Sequence, residues 1–171
     1  MIKILLLLLI IGGSAVLGQV ISGAMAEREN ALKAVFTGVK TLNNCIIHQK
    51  MPLAEAFLRG ASASGLEVFR RMSELMYEQP ELTGEQLGPM ASGENGLFRS
   101  ILEKDDVRGF YGFIRIIYDA AVTEQVDEAS KRYLRELEAE REAAKGERIR
   151  RGRLAKSLCI MGGVAVAILL T

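Results

Sequence analysis

The sequence contains few of the residues on which covalent and metal chemistry usually depend. Its 171 residues include two cysteines, Cys45 and Cys159, and one histidine, His48. Two cysteines, one of them in an apolar end of the chain, do not make a disulfide framework. Cys45 and His48 offer two metal ligands, whereas a zinc site needs three or four. We interpret them as a buried thiol beside a helix-end histidine, with a metal- or redox-responsive sensor as an alternative.

A nucleotide-binding loop and a paired-carboxylate site are also missing. Residues 88–93 have the glycine spacing of a phosphate-binding loop, but Glu94 and Asn95 stand where Lys and Ser or Thr are required. A carboxylate at that point would repel phosphate. Asp105 and Asp106 are adjacent and project from different helix faces, so we expect one of them to cap a helix. The sequence therefore predicts no enzymatic activity, no cofactor and no metal.

Charge is missing from both ends of the chain. Residues 4–26 and 157–171 contain no Asp, Glu, Lys or Arg, whereas residues 27–156 hold all 21 acidic and all but one of the 22 basic residues. A middle segment with no excess charge argues against general nucleic-acid binding. The first apolar end is long enough for the roughly 20 residues that cross a bilayer. The sequence predicts transmembrane anchors over residues 1–26 and 157–171, on either side of a helical domain over residues 27–156.

A cluster of basic residues predicts the orientation of this domain. Five bases without an intervening acid precede the second apolar stretch, namely Arg148, Arg150, Arg151, Arg153 and Lys156. Positively charged flanks of membrane segments stay on the cytoplasmic side. We therefore expect the helical domain in the cytoplasm and the five bases at the membrane interface, where they can contact anionic lipid.

Each apolar end has a second interpretation. Residues 157–171 would rise only about 22 Å as a helix, so an incomplete, interfacial insertion is the alternative to a full span. The first end finishes in Ala24-Met25-Ala26, which also fits a cleavable signal peptide. Cleavage after Ala26 would make the protein an exported, tail-anchored helical adaptor.

The middle segment has the apolar spacing of helices and no convincing strand pattern. Leu32, Val35, Val39 and Leu42 follow steps of three and four, which predicts one apolar helix face that packs with helices around Phe69 and Phe110. Residues 79–96 contain two prolines and four glycines and predict a loop with about one helical turn. From about Glu124 a single helix is expected to run into the second anchor, supported by pairs such as Glu128–Arg132. The predicted fold is all-α, a small helical bundle flanked by transmembrane helices.

The order of these features resembles the stage III sporulation protein AB family of endospore-forming bacteria. An N-terminal anchor and a helix lead to a second helix start at Pro52, Leu53, Glu55 and Ala56. The chain closes on Lys156, Ser157, Leu158 and Gly162, with Cys159 in place of a usual glycine. In the central segment Asp119 and Gln125 match the family's acid and Gln, while its Leu-Gly pair is missing.

The resemblance implies a location, a role and partners. Such proteins lie in the mother-cell membrane around the forespore and act as an inner-membrane platform of a transenvelope channel complex. Their helical domain is similar to the cytoplasmic domain of the type II secretion and type IV pilus platform protein. The implied partners are the other stage III channel subunits, including a separate cytoplasmic ATPase. From the residues themselves we also expect contact with membrane lipid, and self-association is possible.

Overall fold

The protein is built from helices that begin and end at recognisable sequence signals. A computed structural model describes residues 26–93, 97–120 and 122–170, without the side chains of residues 97, 99, 148, 151–156 and 158–170. The helices are α1 (26–47), α2 (Leu53–Ser64), α3 (Glu67–Glu78), α4 (Gly84–Ser92), α5 (Leu97–Ile101), α6 (Lys104–Asp119) and α7 (Thr123–Leu170). No strand occurs among the described residues, and the all-α prediction is confirmed for them.

The first two connections are short because backbone groups terminate the helices locally. After α1, the amide of His48 donates to the carbonyl of Asn44 at 3.0 Å, and Pro52 then occupies the N-cap of α2. Gly65 ends α2 with a φ of 71°, and its amide donates to the carbonyl of Ala61 at 2.8 Å. This left-handed conformation suits glycine, which has no Cβ to strain it.

The core forms where α1, α2, α3 and α6 meet. The predicted seam of α1 is buried, since Leu32, Val35, Val39 and Leu42 are at most 1% exposed. The ring of Phe69 from α3 lies against Gly38, where a Cβ would come within 2.3 Å of its Cε2 atom. Packing of Phe69 on Phe57 and Phe110 closes the core, at centroid distances of 6.2 and 5.6 Å.

Residues 84–92 form a nine-residue helix, so the prediction of a loop with about one turn was wrong there. The amide and hydroxyl of Thr83 both donate to Oε1 of Gln86, at 3.1 and 3.2 Å, which stabilises the first turn. Close packing onto α6 stabilises the rest, because a Cβ at Gly88 would lie 2.7 Å from the ring of Tyr111. These contacts outweigh the low helix propensity of Gly84, Gly88 and Pro89.

The start of α6 differs in detail from the prediction. Asp106 does not occupy the N-cap itself, which is Glu103. Instead its Oδ2 atom accepts a hydrogen bond of 3.0 Å from the backbone amide of Glu103. The carboxylate thus lies in the first helical turn, where its negative charge also interacts favourably with the helix dipole.

The last helix is continuous, as predicted, and runs for 48 residues. On its first half Val126, Tyr133 and Leu137 are buried, and the guanidinium of Arg141 lies 5.5 Å from the ring centroid of Phe36 on α1. This section of α7 therefore packs on the bundle over about four turns.

The described residues fall into two compact units. Asn30–Arg141 form one unit, and the described residues before and after them belong to the other. Within the described part of the chain, no helix has the length and apolar character that a membrane crossing needs. The first predicted anchor lies almost wholly outside the described residues. Both anchors, and the domain boundaries at residues 26 and 156, remain predictions.

Candidate functional site

An open groove lies between α6 and α7 on the surface of the bundle. It consists of two pockets of about 590 and 140 Å³ that share Ile116, Ala129 and Arg132. On the α6 side it follows Gly109, Gly112 and Ile116, which are spaced by three and four residues and so lie on one helix face. The absence of side chains at the two glycines gives this groove its depth.

Two stacked rings lie beneath the groove. Phe113 and Tyr133 stack at a centroid distance of 4.8 Å with an interplanar angle of 13°, and both are buried. Burial raises the pKa of Tyr133 above its ordinary value of 10.0, and the nearby carboxylates Asp106 and Glu136 act in the same direction. The phenol therefore stays neutral at physiological pH, and this part of the groove is aromatic and apolar.

Basic side chains line the α7 side of the groove. Lys131, Arg132 and Arg135 contribute to the larger pocket, which has one acidic side chain, Glu128. The ammonium of Lys131 is paired with Asp127 at 2.6 Å, whereas Arg132 lies 4.0 Å from Glu136. The predicted Glu128–Arg132 pair is not formed. The charges of this wall are therefore nearly balanced, because Glu136 lines the smaller pocket as well.

Arg135 has no acidic partner within the described part of the chain. Its Nε donates to the backbone carbonyl of Lys131 at 3.3 Å, and no described carboxylate lies within 4.0 Å of its guanidinium. The charge of Arg135 is consequently available to a ligand or partner.

A further pocket, outside the groove, is less suited to specific recognition. It has a volume of about 380 Å³ and lies between the start of α1, the α2–α3 turn, α4 and α5. Its polar lining is limited, because Ser92 already donates its hydroxyl to the carbonyl of Gly88 at 2.9 Å. The remaining lining is mostly aliphatic and aromatic, including Ala31, Val68 and Phe98.

Cys45 and His48 lie in different environments. The thiol of Cys45 is free and 3% exposed, whereas His48 is exposed in the turn that follows α1. Among the described residues, no group of three His, Cys, Asp or Glu side chains is arranged to hold a metal ion. A sensor site at this pair would therefore lack further ligands from this part of the chain.

A comparison with known protein families decides the classification. The model of the stage III sporulation protein AB family matches residues 3–171, nearly the whole chain. The chain belongs to this family. It is therefore a protein of stage III of sporulation, and the resemblance predicted from its end motifs is confirmed. Neither a search of curated proteins nor a search of solved structures found a match.

The first group of family-motif residues lies at the start of α2. Pro52 is the N-cap of this helix, and Leu53 is its first residue. Glu55 is exposed in the first turn, where its negative charge interacts favourably with the helix dipole. Ala56 is fully buried. The motif thus starts the helix that packs on α1 and α3, and its role here is structural.

The central family residues are placed near the ends of α6 and α7. Asp119 is the last residue of α6, and its Oδ1 lies 3.0 Å from the position a Cβ would take at Gly84. Its carboxylate is therefore beside the N-terminus of α4. Gln125 lies in the first turn of α7 and lines the larger pocket of the groove. The structure does not bring Asp119 and Gln125 into one site.

The predicted membrane-interface residues all lie on α7. Arg150 is exposed, and so is Ser157 of the closing motif. The side chains of Arg148, Arg151, Arg153, Lys156, Leu158 and Gly162 lie outside the described residues. The predicted helix-packing residues Phe69 and Phe110, in contrast, are fully buried at the centre of the bundle.

Sequence reasoning did not find the groove between α6 and α7. The sequence does contain a signal for its shape, since Gly109 and Gly112 are three residues apart on the face that also carries Ile116. That signal can be interpreted only once the packing partner of α6 is known. The sequence predicted Arg132 only as the ion-pair partner of Glu128, and it did not single out Arg135.

Proposed function

We propose that this family member is a non-enzymatic integral membrane platform of the sporulation channel complex between mother cell and forespore. The helical bundle faces the mother-cell cytoplasm, and the two apolar ends of the chain anchor it in the membrane around the forespore. The bundle holds partner subunits of the complex, including a cytoplasmic ATPase, at the membrane. Membership of the stage III sporulation family supports a place in this apparatus.

One structural observation carries the proposal. Helix α7 is unbroken from Thr123 to Leu170, so the helix that packs on the bundle is the same helix that contains the apolar C-terminal sequence. No loop interrupts α7 between the section that packs on the bundle and the apolar sequence. Such a connection suits a protein that is anchored at the bilayer through its own last helix.

The polar section of α7, residues 138–153, is a contact surface in this proposal. Glu142 and Lys145 are both exposed and form a weak pair at 4.0 Å. A helix section of this polarity is either a solvated spacer or a partner-binding surface. We assign it to partner binding, with the ATPase or a neighbouring copy as the partner.

The experiment follows the ATPase subunit in sporulating cells. In cells that lack this protein, we expect the ATPase to leave the membrane fraction and spore yield to fall, and the full chain to restore both. ATPase that stays at the membrane without this protein would contradict the platform role.

A charge-reversed chain tests the polar section separately. The variant Glu142→Lys, Lys145→Glu and Arg148→Glu inverts the local charge pattern and makes the net charge more negative by about two units. Loss of assembly and of spore yield is the expected result. If assembly and spore yield are unchanged, this section of α7 is only a spacer.

A further inference from the structure

An apolar pocket of about 380 Å³ lies beside the start of α1. Four parts of the chain form it, namely α1, the α2–α3 turn, α4 and α5. Its aliphatic and aromatic lining consists of Ala31, Leu66, Val68, Ala91, Phe98 and Ile101. The volume falls in the range of about 300–1,000 Å³ that is typical of ligand sites. The pocket is therefore large enough to hold a ligand and offers it a mostly apolar wall.

The two polar side chains that line this pocket already have partners within the chain. The carboxylate of Glu67 pairs with Arg70, and the hydroxyl of Ser92 donates to the carbonyl of Gly88 at 2.9 Å. A polar ligand would lose its hydrogen bonds to water here without replacement, which is costly. The chemistry of the pocket therefore favours a ligand without hydrogen-bonding groups, such as a hydrocarbon chain.

The pocket is open at the turn between α2 and α3. Gly65 in this turn is exposed, and a Cβ built there meets nothing within 4 Å. The side chains of Leu66, Phe98 and Ile101 are only partly buried, so apolar surface of the bundle is left uncovered. Apolar surface that is grouped in one place marks a contact site for protein, membrane or ligand.

The distance from the first charge-free stretch decides between these occupants. That stretch ends at Ala26, and Ala31 follows five residues later on the same helix, α1. At 1.5 Å per residue this is about 8 Å along the helix. The polar headgroup layer on each side of the hydrocarbon core is about 5–8 Å thick. With residues 4–26 in the bilayer, the wall of the pocket at Ala31 lies at the level of the headgroups, within reach of lipid.

We propose that the pocket between α1, the α2–α3 turn, α4 and α5 binds an acyl chain of a membrane lipid at the bilayer surface. This inference rests on the proposed function, because it needs the first apolar stretch as a membrane anchor. It adds to that function a contact through which the bundle itself, and not only its two anchors, is held against the membrane. It also identifies the end of the bundle that faces the lipid.

The experiment uses the absence of tryptophan from the chain. Ile101→Trp places a single fluorophore in the pocket of the full chain, reconstituted in phosphatidylcholine vesicles whose acyl chains carry bromine, which quenches tryptophan on contact. The control is Tyr77→Trp, at a ring that is 67% exposed and about 15 Å along α3 from its start. We expect strong quenching for Ile101→Trp and little for Tyr77→Trp.

Three results of this experiment would overturn the proposal. Equal quenching of the two tryptophans would indicate a general contact of the bundle with the bilayer. Quenching of Ile101→Trp by aqueous acrylamide but not by bromine would mean that the pocket holds water. Quenching by neither would mean that a protein segment, from this chain or a second copy, covers the pocket.

A charge at the pocket wall tests the chemistry of the occupant in the Ile101→Trp background. Leu66 is the N-cap of α3, a position that favours aspartate, so Leu66→Asp should leave the bundle folded. Its carboxylate should reduce the quenching severalfold, since a charge beside hydrocarbon is costly. Leu58→Asp, at a leucine that is 41% exposed on α2, is the matched control and should leave the quenching unchanged. Equal quenching in the two aspartate variants would contradict an acyl chain as the occupant.

Flotation of the vesicles separates the pocket from the proposed function. If the chain floats with the vesicles but Ile101→Trp is not quenched, the membrane anchors stand and the pocket proposal is wrong. If the chain does not float, the anchors and the pocket proposal are both wrong. If quenching occurs as expected but deletion of the protein leaves spore yield and ATPase location unchanged, the pocket binds lipid and the platform role is wrong.

Discussion

Two helix contacts of this protein use glycine in opposite ways. Between α1 and α3, the space beside Gly38 is filled by the ring of Phe69, so the glycine allows a tight contact within the chain. Between α6 and α7, the space beside Gly112 is empty. Glycine in a helix interior costs about 1 kcal/mol relative to alanine. At Gly38 internal packing offsets this cost, whereas at Gly112 no described contact does.

The largest expected effect on stability comes from removal of the Phe69 ring, which fills the contact between α1 and α3. Phe69→Ala should lower the free energy of unfolding by about 3–5 kcal/mol, because it removes a fully buried ring and leaves a cavity beside Gly38. Urea unfolding of the full chain in detergent micelles, followed by circular dichroism, measures this loss. Tyr77→Ala, at a ring that is 67% exposed on the same helix, is the control. Equal losses for the two variants would show that the Phe69 contact is not the centre of the core.

A smaller loss of stability is expected when a side chain is added at Gly38, where the ring of Phe69 already fills the space. Gly38→Ala places a Cβ at 2.3 Å from Cε2 of Phe69 and should cost about 1–3 kcal/mol despite the better helix propensity of alanine. The same substitution in a Phe69→Ala background should instead be stabilising, since the clash is gone. Additive effects in this double-mutant cycle would contradict the assigned contact.

At the open contact beside Gly112, we expect a substitution to raise the free energy of unfolding instead of lowering it. Gly112→Ala should raise the free energy of unfolding by up to about 1 kcal/mol, because it improves helix propensity and meets no atom. Gly88→Ala is the matched variant on α4, where a Cβ would lie 2.7 Å from the ring of Tyr111, and it should destabilise the protein. Destabilisation by Gly112→Ala would mean that the groove is closed in solution.

The smallest effect concerns the contact between α1 and the wall of the groove. A hydrogen bond from Lys131, with a longer one from Asn43, holds the pKa of Asp127 below its ordinary value of 3.8. The ionised carboxylate thus stabilises the folded state above pH 3.8, and this contribution is lost as the pH falls through the lowered pKa. The stability difference between the natural chain and Asp127→Asn should shrink from pH 7 to pH 2. A difference that is constant with pH would refute this assignment.

The helical bundle was largely predictable because its apolar residues are regularly spaced. The 3–4 steps of Leu32, Val35, Val39 and Leu42 directly reflect one buried helix face. Helix α4 was missed because Gly84, Gly88 and Pro89 are poor helix formers. The pattern Thr83-x-x-Gln86 was a sequence signal for its first turn, and its packing against Tyr111 depends on a helix more than 20 residues away in the chain.

The candidate site was not predictable in the same way. The family motif includes Gln125, which lines the groove, but the groove itself exists only because α6 lies beside α7. Glu128 and Glu136 are both four residues from Arg132, and sequence spacing alone cannot choose between them. The structure selects Glu136 and leaves Arg135 without a described acidic partner. Such choices depend on tertiary packing and not on local pattern.

The most direct test of the central claim is the side of the membrane on which the bundle lies. Single cysteines at Ser62 and Thr171, with Cys45 and Cys159 replaced by serine, are labelled with a membrane-impermeant maleimide in intact cells of a non-sporulating bacterial host. The account predicts that Ser62→Cys reacts only after the cells are permeabilised, whereas Thr171→Cys reacts in intact cells. Labelling of Ser62→Cys in intact cells would place the bundle outside the cytoplasm and contradict the platform function.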